Sequence, residues 1–539
     1  MMLRVRQDRL KPRNRPCERD VKRKILRDRD VSIDKFHRCR KGFTYLSQGN
    51  LSLSFFYRRG AEDAENGVWF SAFSAPPAVN LMETIIRYLR ERRRQHRDEL
   101  FEMLRIPSVS TLPEHAGDVR RCAEFVANHL REIGLKTVEI MPTAGHPVVY
   151  AEWRERAAAP TILIYGHYDV QPPDPLDLWV TPPFAPTIRD GDIYARGASD
   201  DKGQFWAYVA AIEAFLAMDG ALPVNVKLLI EGEEEIGSGH LHEFIGAHAD
   251  LLKADAMLLS DNSQFQRGVP TICCGTRGLA HGEIHVKTAD IDSHSGAFGG
   301  VAENPILVLA KLLAKLKDEQ NRVTIPGFYD DVAALSEEER RNIASLPFDE
   351  AGLKREIGLR ELVGEAGFSP IERKWARPTL EVNGIVGGFT GEGVKTIIPA
   401  KAMAKITMRL VPRQAPERIF NAAKAYIEGL APSSAAVEFT GGPDGRAYLT
   451  PLDHPILAHV SRALRAVYQR DPVFIRTGGT ISVLSTFADT MGFPIVMIGL
   501  GNPDDNAHAP NERLTEELFY LGIETAATVL HELKEWRPE

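Results

Sequence analysis

The sequence predicts an α/β fold, a mostly parallel sheet sandwiched by helices, with a smaller α+β domain inserted into it. Short apolar runs alternate with helical segments over residues 80–276 and again over 441–539, which is typical of parallel strands joined by helices. Between them, over 277–440, candidate strands alternate apolar and polar residues, as one-sided antiparallel strands do. The length of 539 residues also exceeds what one ordinary core occupies.

Each element has its own signal in the chain. Helices are predicted for METIIRYLRERRRQHRDELFEMLRIPSVS, with a stop at Pro107, for CAEFVANHLREIGL, with an end at Gly134, and for FWAYVAAIEAFLAM (205–218). Buried strands are predicted for TILIYGH (161–167), VNVKLLI (224–230), AMLLS (256–260) and PIVMIGLG (494–501). In the insertion, HGEIHVKT (281–288) and MAKITMRLV (403–411) predict half-exposed strands, and PILVLAKLLAKLKDE (305–319) predicts an amphipathic helix.

Charge and cysteine usage narrow the class of protein. Residues 1–79 are basic without a steady apolar period, so we expect a disordered extension, or sequence upstream of a true start at Met82; a basic arm for nucleic acid or a transit peptide is the alternative. The net charge of −7 makes the remaining chain strongly acidic, which argues against a nucleic-acid binder. Five cysteines without metal-type spacing and no long apolar run predict a cytoplasmic protein with no membrane segment.

Ionisable side chains follow several of the predicted strands. In open α/β sheets, ligands bind beyond the carboxyl ends of the strands, so we expect these side chains to converge on one edge. Carboxylates crowded there repel one another and take up protons unless a cation balances them. The residues concerned are His167, Asp169, Asp200, Asp201, Glu231, Glu233, Glu234, Glu235, Asp261 and His508.

A pair of divalent cations per subunit is the predicted counter-charge. Imidazole and carboxylate donors without a thiolate favour Zn²⁺, with Mn²⁺ or Co²⁺ as alternatives. Ions about 3.5–4 Å apart form the usual two-metal hydrolytic arrangement.

Eight ordered motifs carry a resemblance to a known family. They are YGHYDVQP, YARGASDDKG, EGEEEIGS, LLSDN, DSHSGAFGG, KTIIPA followed by MRLVP, RTGGTISV and NAHAPNE. Together they resemble the co-catalytic metallopeptidases that include carnosinase, cytosolic non-specific dipeptidase, glutamate carboxypeptidase and N-acyl amino acid hydrolases, with the dipeptidases nearest. The resemblance implies a phosphorylase/hydrolase-like catalytic domain with an inserted lid and dimerisation domain, and metal-dependent cleavage of dipeptides or short peptides that carry a free C-terminal carboxylate.

The same resemblance implies roles for the strand-end residues. His167, Asp200 and Asp261 bind one ion, and Asp200, Glu235 and His508 bind the other, with Asp200 bridging. Asp169 orients His167, and Glu234 is the general base toward a metal-bridging hydroxide. The run of glutamates leaves a second register open, in which Glu233 and Glu234 are the base and ligand; Ile236, Gly237 and Ser238 favour the first. A cis peptide bond is implied between Asp200 and Asp201.

Residues of the insertion are implied to hold the substrate. His294 reaches across a homodimer interface formed by the inserted domain and stabilises the oxyanion. Arg409 and Thr396 bind the terminal carboxylate, with Asn383, Gly478, Gly479 and Thr480 nearby. Arg409 shares a strand face opposite Ile406, Met408 and Leu410.

Other functions remain open at the level of sequence. An N-acyl amino acid hydrolase or a succinyl-diaminopimelate desuccinylase uses the same chemistry on a different acyl group. A catalytically inactive metal-binding scaffold is disfavoured because the ligands and base are all present, and a binuclear phosphoesterase because no basic cluster adjoins them.

Overall fold

The computed structural model describes residues 80–538, so the predictions made for residues 1–79 lie outside the described part of the chain. The strands, in chain order, are β1 (Thr137–Met141), β2 (Val148–Trp153), β3 (Thr161–His167), β4 (Thr187–Arg189), β5 (Asp192–Tyr194), β6 (Asn225–Glu231), β7 (Ala256–Leu259), β8 (Thr271–Cys273), β9 (Gly278–Lys287), β10 (Ser293–His294), β11 (Thr379–Gly387), β12 (Ile397–Ile398), β13 (Lys401–Leu410), β14 (Ala436–Pro443), β15 (Val473–Ile475), β16 (Ile495–Ile498) and β17 (Arg513–Thr515).

The helices of the described range, in the same order, are α1 (Leu81–Glu91), α2 (Arg93–Leu104), α3 (Ala116–Glu132), α4 (Lys202–Asp219), α5 (Leu241–Ala247), α6 (Ala249–Leu252), α7 (Ser295–Phe298), α8 (Pro305–Ala314), α9 (Glu337–Ser345), α10 (Glu350–Glu356), α11 (Pro370–Trp375), α12 (Pro416–Gly429), α13 (Pro455–Tyr468), α14 (Ser482–Met491) and α15 (Glu516–Leu533). None of them combines the length and the apolar character that a bilayer-crossing helix needs.

The main sheet has eight strands in the order β1-β2-β6-β3-β7-β16-β8-β15. The central strands β6, β3, β7 and β16 are parallel to one another, whereas β1 and β2 are added antiparallel at one side. Strand β3 is buried on both faces, because Ile162 and Ile164 enter one hydrophobic core and Leu163 and Tyr165 enter another. The predicted sandwich is therefore confirmed, with parallel pairing concentrated at its centre.

A second sheet of four strands has the order β11-β13-β9-β14, and all of its pairs are antiparallel. As the alternation predicted, Ile406, Met408 and Leu410 of β13 are buried, whereas Arg409 lies on the opposite, partly exposed face. Helices α8 and α12 cover the apolar face and share its core. The last strand of this sheet ends at Pro443, and the domain limits at 277 and 440 stay a prediction.

Some helices differ from the sequence prediction. The first predicted helix is divided at Arg92, whose guanidinium lies over the Tyr88 ring and pairs with Glu213. Helix α8 ends at Ala314 and not near residue 319, because the chain turns there into a loop where Thr324 N donates back to Leu316. Helices α9 and α11 were not predicted, although capping boxes begin both, at Ser336 and Ser369.

Candidate metal centre and cleft

The candidate site lies at the carboxyl edge of the four parallel central strands. His167 is the last residue of β3, and Asp261 lies two residues beyond the end of β7. Glu234 and Glu235 form a short 3-10 turn after β6, and His508 lies in the loop after β16. Because these strands run in one direction, their ends bring the predicted side chains to one place, as the sequence predicted.

Asp200 lies between the two histidines of the site. Its Oδ1 is 3.1 Å from His167 Nε2, and its Oδ2 is 2.9 Å from His508 Nε2. The same His508 nitrogen is 3.0 Å from Glu235 Oε2, and His167 Nε2 is 3.9 Å from Asp261 Oδ2. Each oxygen of this one carboxylate therefore faces a different histidine, an arrangement suited to a bridging ligand.

Two groups of potential ligand atoms form around this carboxylate. In one group, atoms of Asp200, Glu235 and His508 all lie within 4.8 Å of one another, and in the other the same holds for His167, Glu234 and Asp261. The second group contains Glu234, for which the resemblance implies the role of base. Geometry alone thus leaves Glu234 either as a ligand or as a neighbour that faces the ligands.

The charges of this cluster fit a cation. Burial raises the pKa of Asp261 to about 7, and the Asp200 carboxylate adds to that increase. Burial also raises the pKa of Glu234 well above its ordinary value, and Asp261, Glu235 and Asp200 raise it further against the effect of His167. Hydrogen bonds to Asp200 and Glu235 raise the pKa of His508 to about 10. Carboxylates crowded in this way tend to keep their protons when no cation is bound. Together with the imidazole nitrogens, their oxygens are ligands of the kind that bind a divalent cation.

The four clustered glutamates have separate partners. Glu231 accepts hydrogen bonds from Tyr165 and Ser238, and Glu233 pairs with His240 Nδ1 at 2.9 Å. Glu235 faces His508, whereas no side-chain hydrogen bond forms at Glu234 within the described residues. Because the Glu233 carboxylate pairs with His240, it does not face the histidines of the site. This supports the register in which Glu234 and Glu235 are the base and the ligand.

Asp169 and Gln171 support the ligands from behind. His167 Nδ1 lies 3.1 Å from the Asp169 backbone oxygen and 3.4 Å from its Oδ1. The other carboxylate oxygen of Asp169 accepts a hydrogen bond from Glu235 N at 3.1 Å, and Gln171 Nε2 donates to Glu235 Oε2 at 2.8 Å. Gln171 was not predicted from the sequence, although it continues the two-residue spacing of His167 and Asp169 along an extended segment, which was a usable signal.

The loop that carries Asp200 is organised by Glu512. This fully buried carboxylate accepts hydrogen bonds from the amides of Gly197, Ser199 and Asp200 at 2.9–3.1 Å and pairs with buried Arg196 at 2.8 Å. Glu512, the last residue of the motif NAHAPNE, was not predicted from the sequence to have a role.

Asp201 and Gly166 complete this loop. The peptide bond between Asp200 and Asp201 is cis, as predicted. Asp201 Oδ2 accepts a hydrogen bond from His167 N at 3.2 Å. A Cβ at Gly166 would stand 2.8 Å from that oxygen, so only glycine fits directly before His167.

Glu512→Gln is expected to lower the free energy of unfolding by about 3–5 kcal/mol, because the buried Arg196 would lose its counter-charge. The matched control is Glu517→Gln, whose side chain is 60 % exposed and should change stability by less than about 1 kcal/mol. Chemical denaturation of both variants measures the difference. Equal stability of the two variants would contradict the organising role of Glu512.

A cleft of about 630 Å³ adjoins the metal-ligand candidates. Its lining includes Asp200 and Asp261 together with Lys374, Arg476 and Gly478. This volume is in the range of small-molecule sites.

Arg409 and Arg277 lie next to the residues that line this cleft. Arg409 Nη1 donates to Thr480 Oγ1 at 2.7 Å, and Arg277 Nε donates to Gly478 O at 3.0 Å. Burial lowers the pKa of Arg277 to about 10, with a further decrease from Arg409. Two neighbouring, partly buried guanidinium groups that pair with no carboxylate among the described residues suit an anionic ligand group. Arg277 was missed by the sequence analysis, which ended the catalytic domain beside it.

Among the other predicted substrate residues, Thr396 adjoins His294, whereas Gly479 lies next to Arg277 and Thr480. His294 is exposed, and its Nδ1 accepts a hydrogen bond from Gly296 N. Thr396 is exposed and its backbone oxygen accepts a hydrogen bond from Ser295 N, so it adjoins His294. Asn383 is exposed at a bulge of β11. Gly479 adjoins Thr480, and its backbone oxygen accepts from Arg277 N at 2.9 Å.

Comparison with known proteins gives consistent matches over most of the chain. Residues 163–532 match the model of peptidase family M20/M25/M40. The human Beta-Ala-His dipeptidase is 31 % identical over 487 residues, covering 86 % of this chain and 94 % of the relative. The Cys-Gly metallodipeptidase dug1 of Schizosaccharomyces pombe is 32 % identical over 448 residues, with 80 % and 94 % covered.

Solved structures agree in fold. The di-peptidase Dug1p of Saccharomyces cerevisiae has a TM-score of 0.73 at 28 % identity, covering 85 % of this chain and 99 % of its own. The metallo-carboxypeptidase Sso-CP2 of Sulfolobus solfataricus has a TM-score of 0.73 at 34 % identity, covering 81 % and 99 %.

Proposed function

Because this chain belongs to peptidase family M20/M25/M40, we propose that it is a metal-dependent dipeptidase that cleaves dipeptides or short peptides with a free C-terminal carboxylate. The observation that carries the proposal is Asp200, whose two oxygens face His167 and His508 separately. Relatives that are 31 % and 32 % identical over most of this chain are dipeptidases.

Two divalent cations would occupy the cluster, with Asp200 shared between them. His167 and Asp261 complete one site and Glu235 and His508 the other. Donors of nitrogen and oxygen without sulfur favour Zn²⁺, with Mn²⁺ or Co²⁺ as the alternatives. When bound, such ions polarise the scissile carbonyl and make water more acidic.

The protein's own groups then move the proton and hold the ligands. Glu234 takes a proton from the attacking water and transfers it to the leaving amine. Its unpaired carboxylate next to Asp261 and His167 supports this role. Asp169 orients the His167 ring through the Nδ1 of that ring. It also positions Glu235 by accepting a hydrogen bond from the Glu235 backbone amide.

The substrate's terminal carboxylate would bind at Arg409 and Thr480. Arg409 already donates to Thr480, and Arg277 adds a second partly desolvated positive charge nearby. A planar guanidinium matches a carboxylate in two hydrogen bonds. The cleft of about 630 Å³ between this region and the metal ligands is large enough for a dipeptide.

A homodimer formed by the inserted domain would complete the site. Exposed apolar side chains cluster in sequence around His294, which itself faces solvent. They include Ile291 at 75 %, Phe298 at 50 % and Val301 at 85 % exposure, values that suit a surface covered by a partner. In that dimer, His294 and Thr396 of one subunit would act at the metal centre of the other.

We place the enzyme in the cytoplasm. The three cysteines within the described residues, Cys122, Cys273 and Cys274, are buried free thiols. Buried thiols without disulfides are usual in a reducing compartment.

A hydrolysis screen tests the proposed function. The metal-loaded chain is assayed against dipeptides, tripeptides, N-acetyl amino acids and N-succinyl amino acids, with and without a chelator. We expect chelator-sensitive cleavage that is fastest for dipeptides. Faster cleavage of N-acyl substrates would make the chain a deacylase, and equal cleavage of longer peptides would make it a carboxypeptidase of wider scope.

Arg409→Lys is expected to raise KM for dipeptides by about 10–100-fold, since an ammonium cannot reproduce the two-bond contact to a carboxylate. The variant should also lose most of the preference for free dipeptides over their C-terminal amides. Arg413→Lys, at an exposed position three residues past the end of β13, is the matched control. Steady-state kinetics with both substrate forms measure the effect. An unchanged preference would place carboxylate recognition elsewhere.

A further inference from the structure

A second group of buried ligand atoms lies in the helical layer, away from the proposed catalytic edge. His96 and Glu99 are on α2, and Glu213 is on α4. Atoms of all three lie within 4.8 Å of one another. Glu213 is about 16 Å along α4 from Lys202, at a rise of about 1.5 Å per residue, so this group is separate from the Asp200 loop that precedes the helix.

His96 is the observation that points to a ligand. Its side chain is 0 % exposed, and neither ring nitrogen has a hydrogen-bond partner within the described residues. Its Nδ1 lies 3.5 Å from Glu99 Oε2 and 3.6 Å from Glu213 Oε2. An imidazole buried without partners is costly, so an uncompensated nitrogen facing two carboxylates indicates a missing counterpart.

Glu99 and Glu213 each have one carboxylate oxygen with a hydrogen-bond partner and one without. Glu99 Oε1 accepts a hydrogen bond from Gln95 Nε2 at 2.7 Å, while its buried Oε2 has no partner. Glu213 Oε1 accepts from Tyr88 at 3.0 Å and pairs with Arg92 at 3.3 Å, while its buried Oε2 also has no partner. In each case one oxygen is held by the protein and the other is left facing His96, as in a carboxylate that binds a metal through one oxygen.

The spacing fits a four-coordinate ion. Nitrogen and oxygen ligands about 2.0–2.1 Å from Zn²⁺ in a tetrahedron stand about 3.3–3.4 Å apart, close to the observed 3.5 and 3.6 Å. The alternative is a protonated His96 paired with both glutamates. The protonated ring would bury two N–H donors, and its Nε2–H would face no acceptor. A neutral ring that binds a metal through Nδ1 buries only one N–H donor, at Nε2.

A surface cavity lies directly beside this group. Glu99 and Glu213 line a surface cavity of about 780 Å³. His129 of α3 lines the same cavity, and its Nε2 has no partner while its ring lies 4.6 Å from that of Trp206. A water molecule from this cavity would supply the fourth ligand of the ion, whose other three ligand atoms are buried.

We propose that His96, Glu99 and Glu213 form an additional binding site for a divalent cation of the Zn²⁺ type, which ties α2 to α4. The ion neutralises two buried carboxylates and uses the free Nδ1 of His96. Because none of these residues belongs to the proposed catalytic centre, the site is a structural one. Its loss should lower stability and leave peptide hydrolysis unchanged.

Metal titration of the full-length chain tests the site. The protein is stripped with a chelator and titrated with Zn²⁺, with bound metal counted by elemental analysis after dialysis. We expect a third equivalent per chain in the wild type, and a melting temperature that rises further as it binds. Glu99→Gln should lose that equivalent and the associated stabilisation, yet keep the other two equivalents and its hydrolytic rate.

Two further variants make the result specific. Glu102→Gln changes an exposed glutamate that lines the same cavity and should bind all three equivalents. Asp200→Asn should weaken the catalytic sites and keep the equivalent at His96. Saturation of the wild type at two equivalents would overturn the proposal, as would a Glu99→Gln variant that binds as much Zn²⁺ as the wild type. Either result would leave the proposed peptidase activity unaffected.

Discussion

Glu234→Gln is expected to lower kcat for dipeptide hydrolysis by about 10²–10⁴-fold, the usual contribution of a general base, while both catalytic metal equivalents stay bound. Glutamine keeps the size of the side chain and removes its ability to accept and return a proton. The expected combination of lost rate and retained metal is informative here, because Glu234 also belongs by distance to the group formed with His167 and Asp261. Steady-state kinetics and elemental analysis of the same preparation provide both measurements.

The control and the contrary outcome separate the two roles of Glu234. Glu243→Gln changes an exposed glutamate of the nearby helix α5 and should affect neither rate nor metal content. If Glu234→Gln lost one metal equivalent together with its activity, Glu234 would be a ligand and the base would have to be sought elsewhere. If the variant kept the full rate with both ions bound, the proposed proton transfer would be wrong.

Much of the site could be predicted because it follows from strand direction. Once β3, β6, β7 and β16 are recognised as parallel, the residues that follow them must meet at one edge. The convergence of His167, Asp261 and the glutamate run needed no further information, whereas the choice of Glu234 and Glu235 over Glu233 and Glu234 depended on the family resemblance. The two cores that enclose the sheet also followed from the continuous apolar runs, since a strand buried on both faces has no polar alternation.

Contacts between distant segments could not be predicted in the same way. Glu512 is more than 300 residues from the Asp200 loop that it organises, and only the fold brings them together. Arg277 lies at the boundary of two sheets, where neither pattern applies. His508 has a left-handed backbone, with φ of 61°, and nothing in the residue type predicts that conformation, which non-glycine residues rarely adopt.

The contact between α2 and α4 was likewise not predictable from the sequence. His96 falls within a run of charged residues, RERRRQHRDE, in which a solvated helix face is the natural interpretation. Its complete burial depends on α4 packing against α2, so that Glu213 reaches it from more than 100 residues away. A buried ligand group formed by two helices is therefore recognised from the structure, whereas one formed by strand ends can be recognised from the sequence.

Asp200→Asn is expected to abolish hydrolysis and to weaken both catalytic metal equivalents together. Asn retains the shape but has one neutral oxygen, so it cannot present a negative oxygen to both His167 and His508. Loss of outer partners of metal ligands already costs about 10–100-fold in affinity, and we expect a larger loss for a shared ligand.

His508→Ala should weaken only the site that His508 shares with Glu235. Asp177→Asn, at an exposed position, should match the wild type. Zn²⁺ titrations of the four proteins make the comparison. An Asp200→Asn variant that lost a single equivalent, as His508→Ala does, would show that Asp200 serves one ion and that the bridging assignment is wrong.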